Sequence, residues 1–122
     1  PRETRMQPDT YIDGFVAAVP TQRRDEYRRH AVDAARVFKK HGALTVVEGW
    51  GDEVPEGKLT SFSLAVQRKP DEAIVFSWVT WPSKKVRDEA WKALMEDPEM
   101  PQDMPFDGKR LIYGGFALLM HA

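Results

Sequence analysis

The amino-acid sequence predicts an α+β fold with a four-stranded antiparallel sheet. The chain has 122 residues, of which 42% are hydrophobic and 30% charged, the size and composition of one globular domain. Four segments have the pattern of strands and two have the pattern of amphipathic helices. Their order is strand–helix–strand–strand–helix–strand, the split βαβ arrangement called ferredoxin-like. We therefore expect an N-terminal arm over residues 1–10, which are polar and contain two prolines, followed by a single domain over residues 11–122.

The first strand and the first helix are predicted by residue type and spacing. Residues Tyr11–Val19 are rich in aromatic and β-branched side chains and precede Pro20, which indicates a strand. Thr21 is the predicted N-cap of a helix over Gln22–His41, and Gly42 is its predicted C-terminal stop. Apolar residues recur in this helix at helical spacing: Tyr27, Ala31, Ala34, Ala35 and Phe38.

The middle of the chain contains the second strand and one ambiguous segment. Residues Ala43–Trp50 predict the second strand, and the glycine- and proline-containing residues after it predict turns. Residues Leu59–Gln67 fit a short helix capped by Thr60, but they also alternate as a strand would. We favour the short helix.

The last third of the sequence supplies two strands, one helix and one long loop. Residues Ala73–Trp81 predict the third strand, and Ser83 caps a helix that ends at Asp97. Residues 97–110 hold three prolines and form a long loop, a kind of segment that is often functional. Residues Leu111–Met120 predict the last strand.

Composition and charge exclude several classes of protein. The formal net charge is −1, without the basic excess of a nucleic-acid or membrane-surface binder, so we expect neither partner. The absence of cysteine removes disulfides and thiolate chemistry and agrees with a cytoplasmic location. No apolar run has the length of a membrane helix. No local ligand spacing supports a metal site, and the sequence identifies no cofactor.

The predicted sheet has apolar residues on both of its faces. In the third strand Ile74, Phe76 and Trp78 point to one side, and Val75, Val79 and Trp81 point to the other. Two helices on one side cover only one face, so the second face needs another cover. We expect a homodimer whose sheets face each other. The alternative is that residues 59–67 and the loop 97–110 shield this face within one chain.

Several segments resemble a known bacterial family. They are YIDGFVAAVP, YRRHA with FKKHGAL, VVEGWGDEVPEGK, VFSWVTWPSK and MPFDGKRLIYGGF, spread over about residues 11–120. Together they resemble the YbaA-like family of unknown function. The resemblance implies a dimeric α+β barrel, in which two ferredoxin-like subunits face each other, and it implies no reaction or catalytic residues.

Polar side chains on apolar strand faces are the candidate site residues. Asp13 shares a face with Tyr11 and Phe15, Glu48 shares a face with Trp50, and Tyr113 follows Leu111 at the same spacing. If these faces border one enclosure, a desolvated Asp13 or Glu48 is a candidate general acid or base. The alternative is that each carboxylate pairs with an arginine such as Arg110. The candidate ligand-binding residues are Tyr11, Trp50, Trp78 and Tyr113.

His30 is the third candidate catalytic residue, because it borders the apolar stripe of the first helix and can meet Asp13 or Glu48. The alternative is an ordinary boundary residue that makes one hydrogen bond. Three hypotheses for function remain open. The first is a protein that binds a small molecule in a pocket beside the sheet. The second is an enzyme of the cofactor-independent monooxygenase or isomerase type that acts on a small aromatic substrate, and the third is a structural interaction module.

Overall fold

The computed structural model describes residues 6–122 and contains one four-stranded antiparallel sheet. The strands are β1 (Tyr11–Pro20), β2 (Thr45–Trp50), β3 (Glu72–Trp81) and β4 (Ile112–Ala117). Their order across the sheet is β2-β3-β1-β4, so the first and third strands are central. This order confirms the predicted α+β fold and fits the ferredoxin-like arrangement.

The helices confirm the prediction, with different capping residues at two N-termini. Helix α1 spans Arg24–Lys40, α2 spans Phe62–Ala65 and α3 spans Lys84–Glu96. Thr21 does not cap α1, because its hydroxyl donates to the Asp71 carbonyl at 3.1 Å and a short 3-10 turn precedes the helix. Ser61, rather than Thr60, caps the short helix α2 by accepting from the backbone N–H of Leu64.

The predicted ends of α1 and α3 agree with the structure. Gly42 follows α1 with a φ of 110°, a conformation that favours glycine, and an added Cβ would lie 2.9 Å from Val86 Cγ1. Ser83 caps α3 by accepting from the backbone N–H of Val86 at 3.2 Å. Glycine at Gly42 therefore allows the end of α1 to approach α3 closely.

Helices α1 and α3 cover one face of the sheet, and most of the core lies between them and the strands. One cluster of buried residues joins both helices to β3: Ala34, Val37, Phe38, Ala43, Val79, Trp81, Ala90 and Leu94. The loop 97–110 packs on the same side, where Met100 contacts this cluster and Phe106 contacts a second one around Tyr27. One alternative proposed that this loop shields the opposite face of the sheet, and the structure does not agree with it.

The opposite face of the sheet, which we call the open face, is covered at one end only. There Val66, just after α2, packs on Val16, Ala18 and Ile74. Farther along, Phe76, Ile112 and Phe116 are exposed by 46%, 43% and 58%. The prediction that the strands carry apolar residues on both faces of the sheet is thus correct. Helix α2 provides part of the cover that the alternative assigned to residues 59–67.

The described residues that flank β1 and β4 define the two ends of the sheet. Residues 1–5 of the expected arm lie outside the described residues. Within the described part, Thr10 is buried and its carbonyl accepts from the backbone N–H of Leu118, which attaches the start of β1 to the residues after β4. Strand β4 ends at Ala117, and Leu119 beyond it is exposed. Among residues 6–122 no helix combines the length and the apolarity that a membrane span requires.

Candidate functional site

A groove of about 370 Å³ runs between helix α1 and the edge strand β2. Its floor is formed by alternate residues of β2 that face the helix, Val46, Glu48 and Trp50. Ala31 and Ala35 form part of the helix wall, and their small side chains keep α1 from filling the space. We call this the Glu48 groove, and its lining comprises Arg24, Tyr27, Arg28, Ala31, Val32, Ala35, Val46, Glu48, Gly49, Trp50 and Val75.

Glu48 and Tyr27 are the polar pair inside this groove. The Tyr27 hydroxyl donates a hydrogen bond to Glu48 Oε1 at 2.7 Å. Burial of the carboxyl group raises the pKa of Glu48, whereas the Tyr27 and Ser77 hydroxyls lower it. Burial and the Glu48 charge both raise the pKa of Tyr27, so its hydroxyl remains a donor. The groove therefore holds a carboxyl group that takes up a proton more readily than an ordinary glutamate.

Aromatic rings and an arginine surround the Tyr27 side of the groove. The Arg24 guanidinium lies over the Trp50 ring, 5.6 Å from its centroid, in cation–π geometry. The Tyr27 ring lies 6.4 Å from Trp50 and 5.9 Å from Phe106, measured between ring centroids. These contacts fix the Tyr27 ring, and with it the hydroxyl that bonds Glu48.

His30 joins this aromatic cluster from outside the groove. Its ring lies 6.3 Å from that of Tyr27 and 6.5 Å from that of Phe106. Burial lowers the pKa of His30, against a smaller opposing effect of the Asp103 backbone. The ring thus favours the neutral form and meets Glu48 only through Tyr27, so the predicted direct meeting with Asp13 or Glu48 does not occur.

Asp13 lies in a separate polar cluster on the same side of the sheet. Its carboxylate is buried and accepts from Trp81 Nε1 at 2.9 Å and from Trp91 Nε1 at 3.0 Å. Arg87 donates to both oxygens, with the shortest distance, 2.8 Å, from Nη2 to Oδ1. The Asp13 carboxylate holds the pKa of Arg87 well above its usual range. The sequence-based alternative predicted such an arginine pair, but the partner is Arg87, whereas Arg110 pairs with Glu72.

The other predicted binding residues do not share one enclosure with Glu48. Tyr11 packs against the Arg87 guanidinium, which lies 5.2 Å from its ring centroid. Tyr113 lies on the helix side of β4 but is 75% exposed. Trp78 pairs with Gly14 and Val47 on the open face, opposite to Trp50. The expected single enclosure of Asp13, Glu48, Tyr113, Trp50 and Trp78 is therefore wrong, because Trp78 points away from the others and Asp13 is enclosed by α3.

Two further clusters of charged residues lie outside the Glu48 groove. A smaller cavity of about 210 Å³ contains Arg68 and Glu72, but these bond to Glu56 and to Arg110. At the ends of α1 and α3, Asp97 accepts from His41 Nε2 and from Lys40 Nζ, each at 2.7 Å. Within residues 6–122 no three His, Asp or Glu side chains are grouped as metal ligands. The Glu48 groove is larger than this cavity, and its carboxyl group, Glu48, is held by a tyrosine hydroxyl and has a raised pKa.

Sequence reasoning missed Tyr27, Arg24 and Arg28 as parts of this site. Tyr27 was assigned only to the apolar stripe of the first helix, although its hydroxyl contacts Glu48. Arg24, Arg28, Ala31 and Ala35 follow one another at steps of three or four residues, so a helical projection puts them on one side. That pattern was available as a signal. The partnership of Asp13 with Arg87 spans 74 residues and leaves no local signal.

Comparisons with known proteins agree on one family. The model of the family described as "Protein of unknown function (DUF1428)" matches residues 10–108. The chain is 53% identical over 109 residues to an uncharacterized protein YbaA of Escherichia coli K12, which covers 87% of this chain and 93% of that protein. It is equally similar to an uncharacterized protein YbaA of Shigella flexneri. These matches confirm the resemblance to a YbaA-like family.

Proposed function

The chain belongs to the family described as a protein of unknown function (DUF1428), and from this premise we propose that it is a homodimer that binds a small molecule. The small molecule occupies the Glu48 groove of each copy. The second copy packs on the open face of the sheet. The observation that carries the binding function is the Glu48 carboxyl group, which accepts from a tyrosine hydroxyl inside a groove of about 370 Å³, remains accessible to solvent, and has its pKa raised by partial burial.

The groove has the composition of a ligand site. Such sites are concave, mostly apolar, and carry few polar groups, with volumes of roughly 300–1,000 Å³. Here Val46, Ala31 and Ala35 supply apolar surface, and Glu48 of the floor and Tyr27 of α1 supply a polar pair. A carboxyl group with a raised pKa inside a cleft is typical of functional sites, since burial of an unpaired carboxylate lowers stability. Ligand binding gives a reason to keep it there.

Variants that fill the groove test the binding function. A compound found by thermal-shift screening of the full chain is expected to lose most of its affinity in Ala31→Leu and Ala35→Leu, measured by calorimetry. Ala65→Leu is the matched control, because Ala65 is exposed on α2 and does not line the groove. Circular dichroism establishes that the variants fold. Equal affinity in all three variants would refute binding in this groove.

The open face supports the second part of the proposal. Its exposed strand residues Phe76, Ile112 and Phe116 are apolar, and Phe62 of α2 extends this surface by packing on Phe76 at 5.8 Å between centroids. The one acidic strand residue on this face, Glu72, is neutralised by Arg110. A second copy can therefore pack on the same face without like-charge repulsion.

The size of the open face also fits a second copy. From strand spacing and rise, four strands of six to ten residues cover on the order of 500 Å² in projection. Helix α2 and Val66 cover one end of this face, so two copies would bury the remaining strand surface together with Phe62 and its neighbours, an area near the lower end of the roughly 1,200–2,000 Å² that stable interfaces bury. Two-fold symmetry then brings each apolar patch onto its own copy.

Sedimentation analysis tests the dimer. The wild-type chain is expected at twice its chain mass, and Phe76→Glu and Phe116→Glu are expected to shift it to the monomer, because each would bury a charge between the sheets. Met95→Glu is the control, since Met95 is 86% exposed on α3, on the other side of the sheet. A wild-type monomer at micromolar concentration would refute the dimer and leave the groove proposal to its own test.

A further inference from the structure

Two arginines on α1 border the Glu48 groove without a carboxylate partner. Arg24 and Arg28 lie four residues apart, so they project from the same side of the helix. Throughout residues 6–122 neither of them forms an ion pair, whereas Arg23, Arg87 and Arg110 all do. The contact with Trp50 holds the Arg24 guanidinium at the groove. The groove mouth is therefore positively charged.

Apart from Glu48 and Tyr27, the floor and the remaining wall of the groove are apolar. Ala31, Val32 and Ala35 continue from the arginines along the same side of α1, and Val46 and Val75 lie below them on the sheet. Val32 is 51% exposed, so this apolar strip is open to solvent. A ligand that lies along α1 would meet two guanidinium groups at one end and aliphatic side chains at the other.

Glu48 limits what this ligand can be. Its carboxyl group faces the groove and accepts a hydrogen bond from the Tyr27 hydroxyl. A cationic ligand would meet Arg24 and Arg28 in the same space, and like charges repel. An anionic ligand is attracted by both arginines, and Glu48 accommodates it when its own carboxyl group carries a proton.

We infer that the Glu48 groove binds a small organic acid, with its carboxylate between Arg24 and Arg28 and its apolar or aromatic body along Ala31, Ala35 and Val46. This inference rests on the proposed binding function and adds the chemical class of the ligand. Arginine suits the task because its planar guanidinium donates two parallel hydrogen bonds to a carboxylate. The apolar body distinguishes such a ligand from a free inorganic anion.

Calorimetric titration of the full chain with three probes tests the inference. The probes are 2-naphthoate, its neutral amide 2-naphthamide, and acetate, which has the charge without the ring system. Naphthoate is expected to bind at least tenfold more tightly than either of the others. The variant Arg28→Gln should weaken naphthoate about tenfold, because one of the two guanidinium groups that hold its carboxylate is lost, and leave the amide unchanged. Arg24→Gln should act in the same direction.

Arg29→Gln is the matched control, because Arg29 is exposed on α1 and is not part of the groove lining. It should leave all three affinities unchanged. If 2-naphthamide binds as tightly as 2-naphthoate and Ala35→Leu weakens both, the groove binds ligands but does not select acids, and the inference fails alone. If neither ring compound binds and the screen finds no compound sensitive to Ala35→Leu, the inference and the proposed function fail together.

Discussion

Asp13 and Glu48 are carboxylates on the same side of one sheet, yet their surroundings are opposite. Asp13 on β1 is 3% exposed and is held by Arg87, Trp81 and Trp91. Glu48 on β2 faces a groove and accepts a hydrogen bond from the Tyr27 hydroxyl at 2.7 Å. One carboxylate is saturated with donors and carries a compensating cation, whereas the other forms no ion pair among the residues that the structure describes and stays open to solvent.

The difference separates a structural carboxylate from a candidate functional one. A buried charge that is fully paired stabilises the state in which its partners are arranged, and it leaves no oxygen free for a ligand. A carboxyl group without an ion pair in an open groove contributes no such stability and is available to a bound molecule. We therefore expect mutations at Asp13 to change stability, and mutations at Glu48 to change binding and pH dependence.

The largest effect is expected from Asp13→Asn. The substitution leaves the Arg87 guanidinium without its charged partner. It also replaces the carboxylate that accepts from two indole N–H groups with a neutral amide. We expect a loss of about 3 kcal/mol in the free energy of unfolding, measured by urea denaturation at fixed protein concentration. Asp88→Asn removes the exposed carboxylate on the same arginine and should cost less than about 1 kcal/mol. Equal losses in both variants would contradict a structural role for Asp13.

The strands and helices on which this comparison rests were predictable from the sequence. Strand β3 was recognised because its apolar run ends at Pro82, and α3 because Ser83 precedes an apolar stripe. Local residue types carry this information, since capping and side-chain periodicity act within a few residues. The short helix α2 was harder, because four residues support both an alternating and a helical pattern.

The candidate site was less predictable, because it depends on distant contacts. The sequence indicated that Asp13 and Glu48 are polar side chains on otherwise apolar strand faces. No neighbouring residue in the sequence distinguishes a carboxylate that binds Arg87 from one that binds Tyr27. The packing of α3 over β1 determines the surroundings of Asp13, and the gap between α1 and β2 determines those of Glu48. Trp78 was proposed as a binding residue together with Trp50, but the two lie on opposite faces, because the face that they would share depends on strand register, which only the pairing of Trp78 with Val47 reveals.

The next largest effect is expected at Gly115 of β4, which pairs with Asp13. A Cβ at Gly115 would lie 2.6 Å from Tyr11 Oη and 2.9 Å from Arg87 Nη2. Gly115→Ala should therefore displace the arginine that holds Asp13 and cost about 2 kcal/mol in urea denaturation. Gly114→Ala is the control, because its nearest contact, with Phe116 Cε1, is 3.4 Å. A Gly114 variant as unstable as the Gly115 variant would show that strand β4 alone, and not the arginine, determines the loss.

A smaller effect is expected from Tyr27→Phe on the Glu48 side. The variant removes the hydroxyl that donates to Glu48 and keeps the ring that packs on Phe106. The free energy of unfolding should fall by about 1 kcal/mol, the usual contribution of one hydrogen bond. Since that hydrogen bond lowers the pKa of Glu48, its loss should raise this pKa further, which a carboxyl NMR titration measures. Tyr113→Phe, at a 75% exposed tyrosine, should change neither quantity.

The smallest effect, and the one that separates the two carboxylates most clearly, is expected from Glu48→Gln. Burial raises the folded-state pKa of Glu48 above its ordinary value. Between these two pKa values the folded state binds more protons than the unfolded state, so stability falls as pH rises through this window. The glutamine variant has no such loss. It should match the wild type in acid and exceed it at neutral pH by less than about 1 kcal/mol, because the carboxyl group retains contact with solvent.

Thermal unfolding from pH 4 to pH 8 measures this difference, with Glu53→Gln as the control at an exposed glutamate after β2. The control reports the effect of removing an exposed carboxylate outside the groove. Asp13→Asn should instead be less stable than the wild type at neutral pH, because Arg87 loses its partner there. Opposite signs at the two positions would establish that the sheet carries one carboxylate for stability and one at a cost to stability. A Glu48→Gln variant that is destabilised at neutral pH would remove the distinction, and with it the main argument for a ligand in the groove.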